Sequence, residues 1–320
     1  SGLKNQVSSC YSSVIGGQCN KTTGCYSFVG GGSFNCINIT GLGGYGTIVN
    51  GSSNKVIGSS ISHGFIGGGS SNCVCDCNGF IGNGSSNVIT DGMNSSIVGG
   101  VGNTINISGG AGNSFIGGGC FHVLCGCRSA IVGGCANVVS SPFGFIGGGW
   151  NNKVENCAYS AIAGGNCNQI CASNGFIGGG IKNLITSSAG ETGTANVVVG
   201  GECNCLGGTR SFIGGGIDNK LSGSRGVIVG GSTNSSIDNS NDDFVIVGGL
   251  CNTNCADFTF IGAGCQNTVT ANYATIVGGS KNTGSGAYSG ILGGINNYIS
   301  HARSYIIGSN ICSTAADTTF

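Results

Sequence analysis

Cys73-Val74-Cys75-Asp76-Cys77 sets three thiols at alternate positions of a 320-residue chain. Thiolates ligate metals, and thiols pair as disulfides. Structural zinc takes four ligands, usually from pairs of cysteines with two to four residues between them. The Cys-x-Cys spacing departs from that pattern, and the nearest histidine is His63, so disulfides or surface thiols suit the triplet better than zinc. On an extended strand all three side chains leave the same face, with alternate Cα atoms about 6.6 Å apart.

Other reactive groups are sparse. His63, His122 and His301 are scattered, the carboxylates number only 11, and no Ser-His-Asp or paired-acid constellation emerges. The Gly-rich stretches are not phosphate loops, since no Gly-Lys-Ser/Thr follows them and no helix is predicted. Asp238-x-Ser240-x-Asp242 opens like a calcium loop but lacks the glycine and the late glutamate, which makes it a solvated loop. No catalytic, metal-binding or cofactor-binding residue is expected, and the chain does not read as an enzyme. Asn38, Asn50, Asn83, Asn94 and Asn106 head glycosylation sequons, a weak signal in a chain so rich in Asn and Ser.

Composition agrees. The chain has 68 Gly, one Pro, 20 Cys and 22 charged residues (11 basic plus 11 acidic). That is 7% charged, where a globular domain carries about 25%. Collagen needs glycine at every third position and abundant proline. Zero net charge and the lack of a basic cluster argue against nucleic acid and anionic membrane as partners. No apolar run approaches the roughly 20 residues of a membrane span. Many cysteines favour an oxidising compartment. A start at Ser1, without Met or signal peptide, predicts a processed chain or a fragment.

What positions these residues is a repeat. An asparagine closes each Gly-Gly-x-x-Asn unit, at 5, 20, 35, 54, 72, 87 and 103, then His122 and Asn137, onward to Asn297 and finally Cys312. Most steps are 15 residues, and insertions lengthen some without resetting the phase. The pattern gives twenty units in a single continuous domain, 1–320. Six positions before each asparagine stands Ile or Val, from Val14 to Ile306; two positions after it another apolar residue usually follows. β-Branched residues favour extended chain and glycine supplies tight bends. Fifteen residues are too few for a strand and a crossover helix. The expected fold is an all-β parallel β-solenoid of about 15 residues per coil, its asparagines bonding as a ladder from coil to coil.

The strand is apolar on both faces. Flanking the Ile/Val, Phe pairs with Gly (Phe115/Gly117, Phe145/Gly147, Phe212/Gly214) and smaller residues pair with larger ones (Ala130/Val132, Val227/Val229). From Phe115 to Val227 the two types alternate, so that a ring could lie in the space left by the next coil. One face fills the coil. The other would expose an apolar column larger than a soluble monomer tolerates, so other copies of the chain are expected to cover it. The sequence does not decide which face is which.

Most cysteines stand at odd offsets from the asparagine, which alternation sends outward. Cys10/Cys25 and Cys120/Cys135 share an offset in consecutive coils, where stacked Cα atoms at about 4.8 Å fall within disulfide range. These pairs are the disulfide candidates.

Units such as "NSFIGGG" (113–119), "SAIVGG" (129–134) and "SGILGG" (289–294) resemble the head repeats of YadA-like trimeric autotransporter adhesins, and similar repeats of phage and large-virus tail fibres. The resemblance spans essentially the whole chain. It implies a left-handed β-roll, a homotrimer and a role in attachment. This chain departs in its many cysteines and in showing no stalk, neck or anchor.

Two functions follow. The first is a non-enzymatic fibre or adhesin on a cell, virion or other extracellular surface, binding an unknown receptor or glycan. Residues 38–47, 57–64, 106–113, 186–196 and 235–244, where the step lengthens, are the expected contact loops. The second is a structural filament, because the sequence runs in phase to both ends and uncapped coils invite stacking.

Overall fold

The computed structural model describes every residue except 1, 41–43, 60–62, 76–77, 109–111, 157, 187–194, 238–242, 314 and 320. The chain is an all-β parallel β-solenoid of about 19 turns, with no helix among the described residues. It falls into two compact units, Ser1–Tyr159 and Ser160–Phe320.

Each coil of the first unit contributes two short strands. One carries the inner Ile/Val; Ala130–Ile131 pairs in parallel with Phe115–Ile116 on one side and Phe145–Ile146 on the other. The other follows the asparagine; Val138–Val139 pairs with Val123–Leu124 and with Lys153–Val154. A third column consists of single parallel bridges, such as Cys120 to Cys135 and Cys135 to Trp150. The second unit repeats the scheme, with Phe212–Ile213 between Val197–Val198 and Val227–Ile228.

The inner Ile/Val column is buried throughout, from Val29 to Ile146 in the first unit and from Ile162 to Ile306 in the second. Filling a core side chain of this size stabilises by about 1.5–3 kcal/mol. The column two positions after the asparagine closes the core from the opposite side, with Ile89, Leu124 and Val139 in one unit and Ile185, Leu206 and Leu221 in the other. Coil interiors compensate in size: Phe244 is buried beneath Gly226, and a Cβ at Gly226 would meet its ring.

Each asparagine satisfies the corner it sits in. Asn219 donates its backbone N–H to Asn204 Oδ1 at 3.1 Å and its Nδ2 protons to the carbonyls of Gly215 in its own coil and Gly231 in the next, both at 3.0 Å. Its own Oδ1 accepts the N–H of Asn234 at 3.0 Å. Asn87 does the same in the first unit, taking its N–H to Asn72 Oδ1 at 3.0 Å and Nδ2 to the Gly100 carbonyl at 2.9 Å. The amides therefore bind mainly backbone, pairing peptide groups that the bend would otherwise bury without a partner. Gly216, three residues before Asn219, has φ +94°, and a Cβ there would strike the Gly231 carbonyl.

Two expectations change. Ile311, not Cys312, ends the asparagine column: its N–H meets Asn297 Oδ1 at 3.1 Å, while Cys312 pairs with Tyr298. The last step is therefore one residue short. The first insertions, in addition, lengthen strands; Cys36–Thr40 runs parallel to Lys55–Ser59 over five residues. Much of the proposed loops at 186–196 and 235–244 lies outside the described residues.

Candidate interaction surfaces

Alternation along a two-residue strand decides the first surface. Ile131 points in and is 0% exposed; its neighbour Val132 points out and is 49% exposed. The outward face of the first unit carries Phe80, Val98, Phe115, Val132 and Phe145, all exposed; that of the second carries Phe176, Val199, Val229, Val247 and Phe260. No residue of this face is charged in either unit. The rings reach along their own strand rather than into the next coil: a Cβ at Gly117 would lie 3.3 Å from Phe115, and one at Gly214 would lie 3.2 Å from Phe212. Residues i and i+2 share a face, so the glycine leaves room for the ring, but the tighter limit is the next coil's backbone, since the same Cβ would strike the Val132 or Val229 carbonyl. Phe65 and Phe80, two rings in consecutive coils, stack with centroids 5.2 Å apart and planes 4° off parallel.

The second surface is a corner column, nine residues before each asparagine, which sequence reasoning missed. Most of its residues are left-handed although none is glycine, with φ 54° at Tyr11, 51° at Tyr26, 54° at Arg128 and 61° at Tyr273. Successive side chains pair. Tyr11, Tyr26, Tyr45 and His63 stack at 5.0–5.1 Å. Arg128 sits over the Phe143 ring at 5.5 Å, and Phe143 stacks on Tyr159 at 4.6 Å. In the second unit Phe258, Tyr273 and Tyr288 form one stack, and Arg225 grips Asp243 at 2.8 Å. The signal was present in the sequence, since like residues recur at this offset in consecutive units.

The thiols lie on the outside. Every described cysteine is exposed or half-buried, although cysteine is among the residues most often buried. Cys120 and Cys135 are joined as a disulfide, with Cα atoms 4.6 Å apart. Both are half-buried at an even offset, two before the asparagine, because the left-handed residues on either side of that position turn it outward. Cys10 and Cys25 carry free thiols. Cys73 and Cys75 leave one strand face with Sγ atoms 2.9 Å apart; Cys77 lies outside the described residues. The thiol of Cys73 is pushed well up, first by its hydrogen bond with Cys75 and then by burial, against the pull of Lys55. Burial likewise raises Cys125 and Cys205. Thiols held protonated are poor nucleophiles and poor metal ligands. Among the described residues no three His, Cys, Asp or Glu side chains gather as a metal site.

The histidines do not converge. His122 replaces an asparagine and is fully buried. Its Nδ1 accepts the Asn137 N–H at 3.1 Å, while Nε2 finds no hydrogen-bond partner. Burial holds its pKa below the ordinary value. His63 ends the tyrosine stack, and His301 shares a 2.9 Å hydrogen bond with Ser300. Asp238, Ser240 and Asp242 lie outside the described residues. No described helix is long and apolar enough to cross a membrane.

No family model matches the chain, and no curated protein matches it.

Proposed function

We propose that this chain is the repeat segment of a non-enzymatic attachment fibre, working at an extracellular, cell or virion surface as a homotrimer. In this reading three left-handed solenoids, each held by its asparagine ladder, pack their uncharged outer faces together around a shared axis. The observation that carries it is the outer column of exposed Val and Phe in each unit. An apolar column that recurs coil after coil exceeds the few hundred Å² a soluble monomer leaves bare. The backbone hydrogen bonds of the asparagines supply the stiffness a fibre needs, and a surface disulfide at Cys120–Cys135 suits an oxidising compartment. The corner columns and insertions would then face outward, toward a receptor or glycan.

Negative-stain images test this. Discrete particles of one length support the fibre. Filaments of indefinite length would replace it with the end-to-end stacking reading, and dispersed 31.3 kDa monomers would overturn both.

A further inference from the structure

In the second unit the outer column loses a side chain. Thr275 and Tyr305 occupy this column in flanking coils, but Gly290 stands between them. Gly290 is buried, and a groove of about 380 Å³ lies beside it. Tyr273 and Tyr288, stacked at 4.6 Å, form one wall, and Val277 and Leu292 form the other. Tyr305 lies across the glycine; a Cβ at Gly290 would sit 2.9 Å from its ring. Tyr288 ends its aromatic stack, because the next corner residue, Arg303, is turned to Asp317.

We propose that this groove binds a neutral saccharide ring. The inference rests on the attachment reading and names the class of ligand it takes. Three of the chain's eight tyrosines converge here. Each combines an apolar ring with a hydroxyl that both donates and accepts, which matches a pyranose, with its C–H faces and hydroxyl rim. The volume is at the small end of ligand sites, room for one sugar ring rather than an extended chain. No charged side chain lines the groove, so nothing there would recognise a sialic acid, sulfate or phosphate group. The groove lies on the outer column itself, so the trimer contact proposed above has to stop short of Thr275, where the groove begins.

Saturation-transfer NMR tests the groove with the methyl glycosides of glucose, galactose, mannose and N-acetylglucosamine, and with methyl sialoside as the charged control. The expected result is binding of at least one neutral glycoside and none of the control. Gly290→Thr restores the residue type of the neighbouring coil and displaces the Tyr305 ring into the groove; it should weaken binding at least tenfold while leaving the mass of the assembly unchanged. Tyr288→Ala, at an exposed corner, should do the same should Tyr305 fail to accommodate the threonine. No binding by any neutral glycoside, a preference for the sialoside, or undiminished binding by both variants overturns the proposal. So does loss of assembly on Gly290→Thr, which would mean that a second copy fills the groove. A chain that attaches to surfaces yet ignores all four sugars sinks the groove and leaves the attachment reading standing.

Discussion

Ile131 and Val132 are adjacent, nearly alike in chemistry and opposite in fate. Ile131 is wholly enclosed by its own coil and its neighbours, while Val132 is half exposed. The same contrast recurs at Ile213 beside Phe212 and Gly214, and at Ile228 beside Val229. Hydrophobicity alone does not separate the two columns. Closure does: the inner face meets the opposite strand of its own coil, whereas the outer face stays about half exposed among the described residues. A fold can therefore be complete as a coil and incomplete as a soluble surface.

Substitutions can break that comparison. The largest effect belongs to the core. Ile131→Ala should cost about 2–5 kcal/mol in urea unfolding, whereas Val132→Ala, measured on dissociated chains, should cost a small fraction of that. Equal costs would erase the distinction between the faces. Asn219→Ala comes next, because it takes the amide donor from the Gly215 carbonyl and the acceptor from the Asn234 N–H, and leaves the Gly231 carbonyl only the Ile217 N–H; a loss of about 3 kcal/mol is expected by the same measurement.

His122→Asn should go the other way, gaining about 1 kcal/mol by giving the Gly134 bend its amide. It should also remove a pH dependence. Burial keeps the folded His122 pKa below that of the unfolded chain, so the unfolded state takes up the proton first. The stability of the neutral ring is complete above about pH 6.5 and is lost as pH falls further. Thermal melts at pH 5 and 7.5 should differ more for the native chain than for the variant. The smallest effect is at the exposed corner: Asp243→Asn breaks the ion pair with Arg225 and should leave the melt at neutral pH where it was.

Period, strand type and the inner Ile/Val column were all legible, because β-branched residues and glycine recur at fixed offsets and each has one local preference. The choice of interior face was not legible, since both faces of the strand are apolar and alternation is symmetric. Nor was the corner column. Tyr26, Arg128 and Tyr273 take left-handed backbone, a conformation that ordinary propensities assign to Gly, Asn or Asp. Cys120 and Cys135 share an offset, and that much gave their proximity; their outward direction depends on two left-handed residues that alternation cannot foresee. The shortened last step, with Ile311 in the asparagine's place, was hidden because Cys312 fits the 15-residue count and Ile311 fits the hydrogen bond.

The claim that the outer face is covered by copies of the chain is tested most directly by multi-angle light scattering of the native protein and of Val229→Asp. Three chains of 31.3 kDa give about 94 kDa. The expected result is that mass for the native protein and a single-chain mass for the variant, with unchanged far-ultraviolet circular dichroism. A native protein that elutes as a stable 31.3 kDa monomer, its Val and Phe column open to water, would contradict the account.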